Sequence, residues 1–113
     1  MRVTYKTDRL QQQCESSVDV TRIYGVLCAK ALQRRLNTLS AADNLSIFAL
    51  NTPPHFCHPL RGNRAGQYAM RLAGKYRLVF VPNHDPVPQH PHGGIDTTQV
   101  TAIHIIEVSE HYD

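Results

Sequence analysis

The chain has 113 residues, with twelve Lys and Arg against nine Asp and Glu, a formal charge of +3, and seven histidines that add positive charge in mild acid. That length supports a single domain over residues 1–113, a few helices on a sheet, and excludes two independent cores. The Asp8 and Gln11 to Gln13 positions are polar where a secretory signal needs apolar residues, and no run approaches the roughly 18 apolar residues of a membrane span. Cys14, Cys28 and Cys57 are odd in number and show no CxxC spacing, which speaks against a disulfide framework or a zinc finger and for reduced thiols in a cytoplasm.

In chain order, residues 3–6 read as a short strand and residues 8–14 as a brief helix with a solvated glutamine run. Residues 18–39 read as one amphipathic helix N-capped by Asp19. At 100° per residue Tyr24, Leu27, Cys28, Ala31, Leu32, Leu36 and Leu39 share a face, with Arg22, Lys30, Gln33, Arg34 and Asn37 opposite. Ser40 and Asp43 have the spacing of a capping box, which predicts a second helix to Ala49, ended by Pro53 and Pro54. Gly62 and Gly66 then bracket a basic turn containing Asn63 and Arg64.

The next stretch is the most informative. Residues 58–80 carry five of the twelve basic residues (Arg61, Arg64, Arg71, Lys75 and Arg77), inside a span from Asn44 to His84 that has no Asp or Glu. Tyr68, Met70 and Leu72 alternate with other residues, as do Tyr76, Leu78 and Phe80, which predicts two strands. A three-residue loop of Ala73, Gly74 and Lys75 pairs Leu72 with Tyr76, Met70 with Leu78 and Tyr68 with Phe80 on one apolar face. That register sets Arg71 opposite Arg77 on the other face. Like charges across a ladder repel, so the pair calls for an offsetting anion, with phosphate the natural one, unless both arginines are simply solvated.

Residues 82–99 contain Pro82, Pro86, Pro88, Pro91, Gly93 and Gly94 and read as an exposed loop. Its His84, His90 and His92 lack the fixed geometry a closed metal site needs, so no metal and no cofactor is expected. Residues 100–108 form the last strand, with apolar residues on both parities (Ile103 and Ile105, then Ile106 and Val108), as in a central strand covered on both sides. His104 among these isoleucines reads as a core or sheet-face residue. Helices first and strands after predict an α+β domain, a small antiparallel sheet with N-terminal helices on one face and arginines on the other.

The run HPLRGNRAGQY at residues 58–68, the YRLVF at 76–80 and the ending EVSEHYD at 107–113 together resemble the plasmid maintenance system killer proteins, HigB-type toxins of the RelE/ParE superfamily. The resemblance spans nearly the whole chain except residues 81–99. It implies the RelE-like toxin fold and a metal-independent mRNA endonuclease acting on the ribosome. It also implies a cognate antitoxin, typically a helix-turn-helix protein, as partner. Carried over by position, His58, Arg77, His111 and Tyr112 are the catalytic residues and Arg61 binds phosphate; a further basic residue is expected at Arg71 or Lys75, between which the hairpin does not decide, and the basic stretch itself adds Arg64 to Arg61, Arg71 and Lys75 as the phosphate- and RNA-binding set. Two departures stand out. The ending Glu110, His111, Tyr112, Asp113 transposes the family's Tyr and His, which leaves the C-terminal roles open, and Arg61 replaces a frequent lysine, which suits it to phosphate binding rather than proton transfer. A gyrase-poisoning toxin of the ParE kind, or an inactive member that binds RNA or antitoxin, are the alternatives. Fold does not separate them, because function lives in the site.

Overall fold

The computed structural model describes residues 1–48 and 51–110. The chain opens with strand β1 (Arg2–Tyr5), followed by helices α1 (Asp8–Glu15), α2 (Ser17–Tyr24) and α3 (Val26–Ala41). Then come β2 (His58–Pro59), β3 (Tyr68–Arg71), β4 (Tyr76–Pro82) and β5 (Ala102–Glu110), with short 3-10 turns at Leu45–Ile47, Gly62–Arg64 and Thr97–Gln99. Among the described residues the strands form one sheet in the order β1-β5-β4-β3-β2. The pairings are antiparallel except that β1 lies parallel to β5. This is an α+β architecture with a mostly antiparallel sheet; the parallel edge strand was not foreseen, because a strand brought back across three helices leaves no local signature.

The N-terminal region departs from the expected single helix over 18–39. Gly25 breaks it, with φ 85 and ψ 166, so that α2 and α3 meet at a corner. Ser16, rather than Asp19, caps α2, its hydroxyl accepting from the Asp19 N–H at 3.3 Å. One consequence is that Leu27, assigned by periodicity to the buried face, is 75% exposed, while Cys28, Ala31, Leu32 and Leu39 are buried. The helix expected to run to Ala49 does not start at Ser40, which lies inside α3. Asn44 instead caps the Leu45–Ile47 turn, its side chain accepting from the Ser46 N–H at 3.0 Å. Ala49 lies outside the described residues.

The helices cover one face of the sheet. Leu32 and Leu39 from α3, Met70 from β3, Leu78 and Phe80 from β4 and Ile103 and Ile105 from β5 are fully buried in one cluster. Each such side chain contributes about 1.5–3 kcal/mol of burial. The hairpin register is the one the alternation predicts, with Tyr68 opposite Phe80, Met70 opposite Leu78 and Arg71 opposite Arg77. The Tyr68 and Phe80 rings stack at 5.9 Å, and Tyr76 meets Tyr24 edge-on at 5.3 Å. Cys14, Cys28 and Cys57 are buried free thiols, and burial pushes Cys57 up to about 12.

The double parity of β5 has a different cause from the one expected. Val79 pairs with Glu107 but Phe80 with Ile105, so Ile106 is an extra residue, a β-bulge. Ile103, Ile105 and Val108 belong with the helix-covered core, whereas Ile106 packs on the other face against Leu60, Ala69 and Val79. The bulge therefore turns Glu107 and Ser109 to the uncovered face.

The segment expected to be an exposed loop begins on a buried residue, Pro82, the last of β4. Its far end is tied down as well. Asp96, 9% exposed, accepts from the Thr98 N–H and hydroxyl and from Gln99 Nε2, and Val100 after it is fully buried. Residues 89–94 between them are exposed.

At Gly25 an added Cβ would meet nothing within 4 Å, so substitution tests backbone strain alone. Gly25→Ala is expected to destabilise the fold by about 1–3 kcal/mol, because φ 85 with an extended ψ is accessible almost only to glycine. A thermal melt equal to that of the parent chain would show that the corner relaxes freely.

Candidate active site

Strand alternation and register place the predicted residues in rows on the uncovered face. One row crosses the sheet as His58, Ala69, Val79 and Glu107. The adjacent row is Arg71, Arg77 and Ser109. Rows lie two residues apart along a strand, about 6.7 Å, and neighbouring strands about 4.8 Å apart. His58 and Arg77 are thus two strands and one row apart, within reach of one phosphodiester unit given the length of an arginine side chain.

Each side chain has its own anchor. His58 Nδ1 lies 2.9 Å from the Phe56 carbonyl. A carbonyl oxygen only accepts, so Nδ1 carries the proton and Nε2 is the basic nitrogen of the neutral ring. Phe56 has φ 47, a left-handed conformation costly for an aromatic residue, and this turns its carbonyl to His58 while its ring lies 4.3 Å from the Arg71 guanidinium carbon. Arg77 Nη1 donates to the carbonyls of Gly74 at 3.1 Å and Tyr76 at 2.9 Å. The two opposed arginines are therefore drawn apart, one to an aromatic face and the other to turn carbonyls. Protein contacts already lessen the repulsion for which an external anion was expected.

The remaining basic residues are less closely grouped. Arg64 forms an ion pair with Glu107 across the face. Lys75, in the hairpin turn, pairs with Glu110 at 3.2 Å, both about half exposed, a contact worth little in water. Arg61 is exposed at the start of the Gly62–Arg64 turn. His111 and Tyr112 lie outside the described residues; β5 is described as far as Glu110, opposite Tyr76.

Of the loop histidines, His84 accepts the Thr101 N–H on Nε2 at 3.1 Å and His90 Nδ1 lies 3.9 Å from Asp96, so they serve separate local contacts. His104 is a sheet-face residue, its Nδ1 2.6 Å from the Thr4 hydroxyl. Among the described residues no three His, Cys, Asp or Glu side chains gather as a metal site would require. Nor is any described helix long and apolar enough to cross a membrane.

Sequence reasoning missed three contributors. Glu107 was seen only as part of a terminal motif; the bulge that exposes it could have been suspected from the parity change at Ile106. Phe56 gave no signal, since its role depends on a positive φ. Arg35 sits on α3 among apolar neighbours and is 9% exposed, yet its Nε donates to the Arg71 carbonyl at 3.1 Å and Nη2 to the Pro54 carbonyl at 3.3 Å. Burial, and then the Arg34 charge, lower its pKa. It ties the backbone of segment 54–58 to the end of β3, where the Arg71 N–H also donates to the His55 carbonyl at 2.8 Å.

The fold is similar to that of the "YoeB/ParE toxin from Agrobacterium tumefaciens", with a TM-score of 0.55 and 13% sequence identity over 99% of this chain and 100% of that one. It is also similar to the "YoeB-YefM complex from Staphylococcus aureus", at 0.54 and 13% over 99% and 98%. No protein-family model and no curated protein sequence matches the chain. The chain thus has the fold of YoeB/ParE-type toxins, at an identity where the chemistry must be argued from the site.

His55 links the site to pH. Its Nδ1 is buried without a hydrogen-bond partner, and its ring packs edge-on to Phe48 at 5.2 Å. Burial, reinforced by the Arg35 charge, lowers its pKa from 6.5. A histidine with a depressed folded pKa contributes stability that is present above its unfolded value and lost as pH falls through the folded one. The melting midpoint is expected to drop as pH goes from about 7 to about 5, and His55→Phe should flatten that limb. An unchanged pH profile in His55→Phe would exclude His55 as its source.

Proposed function

We propose that this chain is the toxin of a type II toxin–antitoxin pair, a HigB-like endoribonuclease that cuts mRNA on the ribosome. In this reading it works in the cytoplasm and is held inactive by a cognate helix-turn-helix antitoxin. The observation that supports it best is the pair of adjacent rows bearing His58, Arg71 and Arg77 on a sheet of the YoeB/ParE toxin fold, with Arg64 and Glu107 beside them.

Cleavage by this route needs a base for the 2′-hydroxyl, charge on the phosphate and an acid for the leaving 5′-oxygen. His58 Nε2 takes the 2′-hydroxyl proton, since Nδ1 is committed to Phe56. The freed 2′-oxygen bonds to phosphorus, and the P–O5′ bond breaks to leave a 2′,3′-cyclic phosphate. Arg77 and Arg71 neutralise the charge that builds on the non-bridging oxygens. His111 and Tyr112 are the proposed source of the proton for the 5′-oxygen, with Arg61, Arg64 and Lys75 along the RNA backbone.

Arg77→Ala is expected to lower single-turnover cleavage of ribosome-bound mRNA by about a hundredfold or more, the scale of a lost electrostatic contact to a transition state. Arg77→Lys should recover part of the rate, because it keeps the charge without the two-pronged grip. His58→Gln should be slow at every pH. Induced in bacteria, the parent chain should arrest growth and deplete translated mRNAs with DNA supercoiling intact. Gyrase-linked breaks without cut mRNA would instead support a ParE-like poison, and a folded Arg77→Ala variant with near-normal rate would remove Arg77 from the site.

A further inference from the structure

Helix α3 turns the stripe Cys28, Ala31, Leu32, Arg35 and Leu39 towards the sheet, and every member of it is buried. Four are apolar and the fifth is a guanidinium. Among the described residues no carboxylate forms an ion pair with it. An apolar side chain of similar length would fill this position without the desolvation of a charge, so packing alone does not account for an arginine there.

The ladder between β2 and β3 gives a reason for it. His58 faces Ala69 and Pro59 faces Tyr68, so the same register carried on would set Phe56 opposite Arg71. Leu60 N–H donates to the Gln67 carbonyl at 2.8 Å, and hydrogen-bonded pairs recur at every second residue, so Phe56 and Arg71 would exchange both of their backbone bonds. They exchange neither. Phe56 N–H donates to the Thr52 carbonyl at 2.9 Å and Arg71 N–H to the His55 carbonyl at 2.8 Å. The Arg71 carbonyl receives Arg35 Nε at 3.1 Å in place of the Phe56 N–H, and the Phe56 carbonyl, released from the ladder, meets His58 Nδ1 at 2.9 Å. Arg35 Nη2 donates to the Pro54 carbonyl at 3.3 Å and so holds the displaced segment from its other end.

We propose that Arg35 is a positioning residue for RNA cleavage: by taking the ladder place of the Phe56 N–H it releases the carbonyl that fixes the His58 ring, and by holding the Arg71 main chain it keeps the base and a phosphate-binding arginine in one frame. The inference rests on the ribonuclease reading above, in which His58 Nε2 takes the 2′-hydroxyl proton. Without the guanidinium, the Arg71 carbonyl lacks a donor, and Phe56 supplies one by turning back into the ladder. That turn also relieves its positive φ. Its carbonyl then goes to the Arg71 N–H and leaves His58. The imidazole proton is no longer held on Nδ1, and a ring protonated on Nε2 has no lone pair there to act as the base.

The test is Arg35→Met in the full chain, which keeps an apolar stem and removes the donors. The ¹⁵N shifts of the neutral His58 ring read which nitrogen carries the proton: Nδ1 in the parent chain, and largely Nε2 in Arg35→Met. Single-turnover cleavage of ribosome-bound mRNA at saturating protein should fall by about tenfold or more, with little change in the protein concentration that gives half the maximal rate, because a misplaced base slows the chemical step and Arg35 does not touch RNA. Arg35→Lys, which keeps a cation that reaches one carbonyl, should fall between the two. Thermal melts identify a variant that fails to fold, and Arg35→Lys then takes the place of Arg35→Met. A merely structural arginine would move the melt and leave the tautomer and the maximal rate of the folded protein unchanged. A folded variant that keeps the Nδ1 proton, or the parent's maximal rate, would overturn the positioning role and leave the ribonuclease standing. A parent chain that cuts no RNA would overturn the ribonuclease reading and the role in cleavage with it, whereas the tautomer would still show whether the guanidinium sets the ring.

Discussion

The pairing of β4 with β5 is the constraint on which the rest depends. Its seven registered pairs run from Tyr76 opposite Glu110 to Pro82 opposite Ile103, and every other strand is added outside these two. Leu78, Phe80, Ile103 and Ile105 turn to the helices and are fully buried, which makes the register hard to shift, since a one-residue slip would carry apolar side chains to water. The bulge at Ile106 is the one irregularity in this pairing, and it lets a single strand serve two purposes. Its first half closes the core, and its second half presents Glu107 and Ser109 beside the arginines.

The basic face shows how a concentration of like charge is carried by a small fold. Arg71 rests on Phe56, Arg77 on the carbonyls of its own turn and Arg64 on Glu107. The anchors of Arg71 and Arg77 do not consume the whole guanidinium, so each keeps N–H donors for an anion. Arg35 is the counterpart on the buried side. A desolvated guanidinium is costly, and here two backbone carbonyls receive it, which fixes the segment that holds His55, Phe56 and His58. The strained φ at Phe56 fits this arrangement, because strain persists only where neighbouring contacts over-determine the backbone. Helix α3 and the basic face of the sheet are in this way joined through one side chain.

The segment between β4 and β5, where Gln89 bridges to Ile95 and the His90 N–H donates to the Gly94 carbonyl, forms a small hairpin arm that the motif-bearing part of the chain lacks. It rises where β4 ends and returns before β5, so its base is placed by the two central strands and its outer part is exposed. An insertion at that point costs little, because closing a longer loop between fixed ends adds entropy only slowly. What it brings is a wall over the sheet, and with it a concavity beside an otherwise flat basic face.

The alternation of Tyr68, Met70 and Leu72 with Tyr76, Leu78 and Phe80 by itself determined the central hairpin, its three-residue turn and the opposition of Arg71 and Arg77, because side chains in strands alternate with a period of two. The same local chemistry gave the α+β class and the basic, acid-free stretch that supplies the arginines of the uncovered face. Only the tertiary structure decided the rest. The parallel pairing of β1 with β5, the break at Gly25 and the bulge at Ile106 depend on where distant segments dock, and periodicity within one segment does not carry that. The roles of Arg35 and Phe56 were illegible for the same reason: a buried guanidinium and a left-handed phenylalanine are unfavourable alone, and become stable only when residues far away in the chain supply carbonyls and a cation to meet them.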